Sequence, residues 1–163
     1  MDVMMLIGSE SDYEIVKDAA EILKAFGVTF ALEVTSAHRS PERTLRLVRQ
    51  AEAEGAEVFI AAAGKAAHLA GVVASHTVRP VIGVPVESGG LGGLDALLST
   101  VQMPKGIPVA TMGTGKTGAA NAALLAVEIL GLKKPVLREK LADHKKKMAA
   151  QVEADSEKLK KSL

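Results

Sequence analysis

Three short stretches concentrate side chains that can bind anions or move protons: GSESD at residues 8–12, TSAHRSPE at 35–42 and AAAGKAAHLAG at 61–71. In the first, Gly8 supplies a turn, Ser9 and Ser11 offer hydroxyls to an anion or a sugar, and Asp12 adds a carboxylate. At the start of a helix that aspartate reads first as an N-cap, since it satisfies free N–H groups there. In the second, Ser36, Ala37, His38 and Arg39 precede Ser40-Pro41, an N-cap with a proline at the first helical position. The cap accounts for Ser40 and for neither His38 nor Arg39. A guanidinium beside helix N–H groups suits a phosphate, and an imidazole suits proton transfer near neutral pH. In the third, Gly64 and small alanines let backbone approach a ligand closely, and Lys65, Ala66, Ala67, His68 and Leu69 lead into a helix. A histidine on an Ala-rich helix is ordinarily a packed residue. His76 at the far end of that helix reads as structural, and His144 in DHKKKM as part of a solvated face.

A fourth stretch, VATMGTGKTGAAN at 109–121, ends a nucleotide-triphosphate pattern with Gly115-Lys116-Thr117. The full pattern needs a glycine five residues before Gly115, where backbone N–H groups would meet the phosphates, and that position is Ala110. It also needs an aspartate closing a second apolar strand to help hold Mg²⁺, which no apolar run here supplies. The glycines therefore serve another purpose.

These loops need elements to hold them, and the chain supplies a strand–helix alternation. Val3 to Ile7 is a short apolar strand, and from Asp12 the residues Ile15, Val16, Ala19, Ala20, Ile22 and Leu23 recur at helical spacing up to a Gly27 cap. Strands are expected at 28–34, 58–62, 80–84 (bounded by Pro85) and near 108–111. Helices are expected from Pro41 to near Gly55, over 65–76 and over 117–130. This rhythm predicts a parallel sheet covered by helices on both faces, with ligands at the carboxyl ends of its strands. No linker divides it: residues 1–133 read as one α/β nucleotide-binding catalytic domain. Residues 134–163, rich in Lys, Glu and Ala without glycine, read as a long amphipathic C-terminal helix extending that domain.

Composition narrows the partners. With 20 basic against 19 acidic residues the formal net charge is +1, so no polyanion-coating surface and no nucleic-acid partner is expected. There is no cysteine, which removes disulfides and thiolate metal sites. The opening MDVMMLIGSESD lacks a basic n-region and a long apolar run, so a soluble cytoplasmic protein without a membrane partner is expected. Three Phe, one Tyr and no Trp leave the core to Ala, Val, Leu and Ile, and make the Ala-rich helix near 119–130 an expected contact between subunits. Together the three loops offer phosphate ligands, an acid and a base, and no metal shell.

In this order GSESD, SAHRSP, AGKAAHLAG, VIGVPV, STVQMPKGIPVAT and GAANAALLA resemble the class I PurE proteins of purine biosynthesis, the N5-carboxyaminoimidazole ribonucleotide (N5-CAIR) mutases. The resemblance runs from about residue 2 to residue 132. It implies a flavodoxin-like three-layer α/β/α sandwich around a central parallel sheet, usually assembled as a homo-octamer. It also implies transfer of a carboxyl group from the exocyclic nitrogen to ring carbon C4 of a small ribonucleotide, with no metal, ATP or cofactor. The resemblance makes His38 the general acid/base. Around the ribose and phosphate it sets Ser9, Ser11, Asp12, Ser36 and Arg39; around the carboxylate and CO₂ it sets Gly64, Ala66, Ala67, His68 and Leu69; Ala37 and Lys65, inside the same loops, complete the candidate substrate-binding set. GTGKTG becomes a turn and helix start.

The family loop usually reads GAGGAAHLPG, whereas this chain carries Lys65 and Ala70 at its fourth and ninth places. Lys65 adds a cation and a long side chain to a loop of small residues, near a helix N-terminus that disfavours a cation. It either points to solvent or contacts a substrate anion. Two alternatives stay open. A related carboxylase takes free CO₂ and aminoimidazole ribonucleotide (AIR) on the same fold; its loop usually reads AGRSN, and the AAHL of residues 66–69 favours the mutase. A non-catalytic nucleotide-binding paralogue would lose the proton-transfer histidine, and His38 is present.

Overall fold

The computed structural model describes residues 1–163. In chain order the elements are β1 (Val3–Ile7), a 3-10 turn (Glu10–Asp12), α1 (Tyr13–Phe26), β2 (Phe30–Val34), α2 (Pro41–Ala53), β3 (Val58–Gly64), α3 (Leu69–Ala74), β4 (Val81–Val86), α4 (Leu94–Val101), β5 (Ala110–Thr111), α5 (Gly115–Gly131) and α6 (Pro135–Lys160). All strands run parallel in the order β2-β1-β3-β4-β5. Every residue of β1 and β4 is buried, which is why they read as unbroken apolar runs and not as alternating ones. The strand edges still sort by parity. Val3, Met5, Ile7, Ile60, Ala62, Ile82 and Val84 pack under α1, α5 and the start of α6, while Met4, Leu6, Phe59, Ala61 and Val81 pack under α2 and α3. The result is three layers, a flavodoxin-like sandwich.

Local chemistry explains the boundaries. Gly27 stands in the left-handed region (φ 76°), its N–H donating to Lys24 O at 2.9 Å while the Val28 N–H donates to Leu23 O at 2.9 Å. That closure, which only glycine adopts cheaply, ends α1 and delays β2 from the expected Val28 to Phe30. Pro85 lies inside β4 and does not bound it. It sits beyond Ile82 and Gly83, the β4 residues that pair with β5, so its missing N–H breaks no rung of that ladder. The expected helix over 65–76 is shorter, Leu69–Ala74, because residues 65–68 form the turns that face the site. Helix α4 was absent from the sequence expectation. The glycines before it hid the Leu94, Leu97, Leu98, Val101 spacing, and Ala96 and Thr100 are its buried contacts.

Two further expectations are corrected. The alanines of α5, Ala119, Ala122, Ala123 and Ala126, are fully buried in the chain's own core, so that face is not free for another subunit. Helix α6 buries only Leu137 and Leu141, and Met148, Val152 and Leu159 beyond them are exposed. His144 is not simply solvated: its ring meets Phe26 edge-on at 5.8 Å. The root of α6 is pinned by charge. Lys134 pairs with Asp2, whose Oδ2 also accepts from Thr29 N–H (3.0 Å) and Oγ1 (2.7 Å). Burial alone would raise the Asp2 pKa, but Lys134 and Thr29 outweigh it and hold the carboxyl below its ordinary value.

Candidate active site

In a sheet of this order successive strands are added to one side of β1 and then to the other, and at that switch between β1 and β3 the loops leaving the carboxyl ends open a crevice. A cleft of about 520 Å³ lies there. It is lined by Gly8, Ser9, Ser11 and Asp12 after β1, Ser36, Ala37, His38 and Arg39 after β2, and Ala63, Gly64, Lys65, Ala66 and Leu69 along and after β3. Ala67 is buried behind the lining, and His68 reaches the site through His38. A second hollow of about 540 Å³, between α1 and the edge strand β2, has an apolar floor of Ile7, Leu32 and Val34 and contains no histidine. The groups able to do chemistry are in the first.

The β2 loop is held before any ligand arrives. Ser40 occupies the N-cap position of α2 yet makes no capping bond. Its Oγ accepts from Ser36 N–H (3.1 Å) and donates to Ser36 O (3.1 Å), closing the loop on itself. Beneath it Thr35 and Thr44, both buried, share a hydroxyl hydrogen bond of 2.9 Å. Ser36 Oγ accepts from Arg39 N–H (3.2 Å) and Nε (3.4 Å), and Arg39 Nη2 donates to Gly8 O (3.3 Å). The guanidinium thus bridges the β1 and β2 loops and shares the cleft lining with Ser9 and Ser11, whose hydroxyls bond each other at 3.0 Å. Such a fork of donors beside hydroxyls suits a phosphate ester.

Asp12 also stands at an N-cap position without making the cap bond; its carboxyl lines the cleft and the residue is only 7% exposed. Burial raises its pKa, and a Ser9 backbone hydrogen bond offsets part of that rise. His38 Nε2 and His68 Nδ1 lie 2.8 Å apart with their rings nearly perpendicular, at 79°. One proton is shared between those nitrogens, while His38 Nδ1 and His68 Nε2 bond no protein atom and remain available to a ligand. His68, which reads alone as a packed residue and through the resemblance as part of the carboxylate pocket, bonds the imidazole of the β2 loop and orients it.

Two cleft residues escaped the sequence reading, Ala63 and Ser88. Ser88 follows β4, and the strand-end rule that selected the other three loops would have found it. Gly64 faces it so closely that a Cβ there would fall inside van der Waals contact with Ser88 Oγ and 3.0 Å from Val86 O. Lys65 has φ 56° and is the only non-glycine residue in the left-handed region. That conformation costs a residue with a Cβ roughly 1–2 kcal/mol. No three His, Asp or Glu side chains gather as a metal shell, and no helix is long and apolar enough to cross a membrane.

Sheet order and cleft define the class: a flavodoxin-like α/β protein with a phosphate-suited pocket and a histidine pair at its switch point. A family model described as AIR carboxylase matches residues 2–151, and the chain belongs to that family. It is similar to the N5-carboxyaminoimidazole ribonucleotide mutase of Pyrococcus horikoshii, 52% identical over 157 residues covering 96% of this chain and 88% of the relative. The protein of the same name from Escherichia coli K12 is 47% identical over 150 residues, covering 92% and 89%. The crystal structure of Treponema denticola PurE matches with a TM-score of 0.87 at 30% identity, over 96% of this chain and 97% of that one.

Proposed function

We propose that this chain is an N5-CAIR mutase, an isomerase of purine biosynthesis that converts N5-CAIR to 4-carboxy-AIR with His38 as its acid and base. The observation that carries the reading is the His38–His68 pair beside the Arg39, Ser36, Ser9 and Ser11 cluster. The phosphate is anchored at Arg39 and the hydroxyls, and the carboxylated ring extends toward the histidines and the Gly64–Leu69 turns. Cleavage of the carbamate C–N bond leaves its electron pair on nitrogen, and the amine takes a proton from His38. C4 of the electron-rich ring then attacks the retained CO₂, and the proton on C4 passes back to His38. Atoms balance within one substrate. A single imidazole serves both ends because a histidine side chain can both give and take a proton. The small side chains of the β3 loop leave room for CO₂, and excluding water there retains it.

The reading includes a cytoplasmic homo-octamer that acts on a small ribonucleotide without cofactor, nucleic acid or membrane. Supporting an assembly, Leu94, Leu98 and Val101 form an exposed apolar stripe at helical spacing along α4, with Leu91 exposed in the turn before it. The test is absorbance detection of the C4-carboxylated product, with N5-CAIR and with AIR plus bicarbonate supplied separately. Turnover of N5-CAIR at low bicarbonate supports the mutase; product only from AIR and bicarbonate makes the chain a carboxylase.

A further inference from the structure

The cleft holds two cations on opposite sides, Arg39 and Lys65, and only one has protein partners. Arg39 is bonded to Ser36 and to Gly8 O on the β2–β1 side. Lys65, on the β3–β4 side, is exposed, lines the cleft and makes neither an ion pair nor a side-chain hydrogen bond. Its stem leans over the β4 loop, with Cε 4.0 Å from where a Cβ on Gly89 would stand. It is also the chain's single left-handed residue that carries a side chain. Strain of that kind is kept where the surroundings or a function hold it, and here the next turn is fixed by Ala67 N–H donating to Lys65 O and His68 N–H to Ala66 O, both at 2.8 Å. The strained peptide thus places a lysine without a protein partner on the rim of the cleft, one turn before His68 meets His38.

We propose that Lys65 is a specificity-determining residue, its ammonium pairing with the carboxylate of the carboxylated ribonucleotide and not with its phosphate. The inference rests on the proposed function. The assignment of ends follows from position: the carboxyl group that moves must lie beside the proton-transfer imidazole, and His38 turns its Nε2 toward the β3 loop that bears Lys65. The phosphate end is already served by Arg39 and three serine hydroxyls across the cleft. A cation at the carboxylate end favours the substrate that carries its carboxyl group over the one that lacks it.

The test measures equilibrium binding of 4-carboxy-AIR, AIR and ribose 5-phosphate to the wild-type protein, Lys65→Asn and Lys65→Arg. Asparagine tolerates the left-handed region and so removes the charge without unseating the turn. Lys65→Asn is expected to weaken 4-carboxy-AIR about 10-fold or more, ~1.4 kcal/mol or above, and to leave AIR and ribose 5-phosphate within about twofold. Lys65→Arg is expected to retain most of the affinity for 4-carboxy-AIR. Equal weakening of all three ligands would assign Lys65 to the phosphate, and no change in any would assign it to solvent; either overturns the proposal. Failure of the wild-type protein to bind any of the three would instead overturn the mutase reading.

Discussion

Adding one methyl group at Gly64 tests whether the ends of β3 and β4 are as tightly joined at the site as the geometry indicates. A Cβ there would overlap Ser88 Oγ, stand 3.1 Å from Ser88 Cβ and 3.0 Å from Val86 O. The hydroxyl can rotate away, but Ser88 Cβ and the Val86 carbonyl move only with the backbone at the end of β4 and in the loop that follows it. Overpacking of this sort costs typically ~1–3 kcal/mol. For Gly64→Ala we expect that loss in urea unfolding, together with a fall in kcat/KM larger than the stability change alone would give, because Lys65 and the His68 turn follow directly. The double variant Gly64→Ala/Ser88→Gly removes the two Ser88 clashes and leaves only the carbonyl contact, so it is expected to regain more than half of the stability lost relative to Ser88→Gly alone. A Gly64→Ala protein within about 0.5 kcal/mol of wild type, the usual range for a surface change, would refute this account of the strand ends.

Asp12 and the α4 stripe give the other two outcomes. Burial raises the Asp12 pKa, so the folded state holds its proton more tightly than the unfolded state. Its contribution to stability is therefore lost as pH rises from the ordinary carboxylate value, ~4, through the raised folded value. Asp12→Asn should melt higher than wild type at neutral pH, show no such advantage at low pH, and bind ribonucleotide more weakly; an unchanged melting difference across pH would contradict the burial argument. Leu94 and Leu98 are 56% and 47% exposed. The pair Leu94→Asp/Leu98→Asp should shrink the particle seen by light scattering without unfolding the chain, and an unaltered particle would remove α4 from the subunit contacts.

Much of this was legible in the sequence because continuous apolar strands and capped helices are local signals. β1 falls where its apolar run places it, and Gly27, Pro41 and the strand-end loops mark their elements directly. What escaped depended on contacts between distant residues. Ser40 and Asp12 look like caps in sequence, yet one hydroxyl closes the loop from Ser36 and one carboxyl turns into the cleft. The alanines of α5 suggested a free surface, and only the packing against α1 shows that surface to be occupied. Helix α4 was masked by Gly89, Gly90, Gly92 and Gly93, and the His38–His68 bond joins residues thirty apart in the chain. Lys65 stood out as a departure in residue type, but its left-handed backbone is a property of the fold.

The central claim is that His38 moves the proton at both ends of the carboxyl transfer, and turnover of N5-CAIR by His38→Asn tests it most directly, measured beside ribonucleotide affinity. Asparagine retains polar groups in a smaller side chain but cannot exchange a proton near neutral pH. The account gives a loss of turnover of roughly 10²-fold or more, with dissociation constants within a few-fold of wild type because Arg39 and the serines are untouched. Near-normal turnover by His38→Asn would contradict the account and remove His38 from the chemistry.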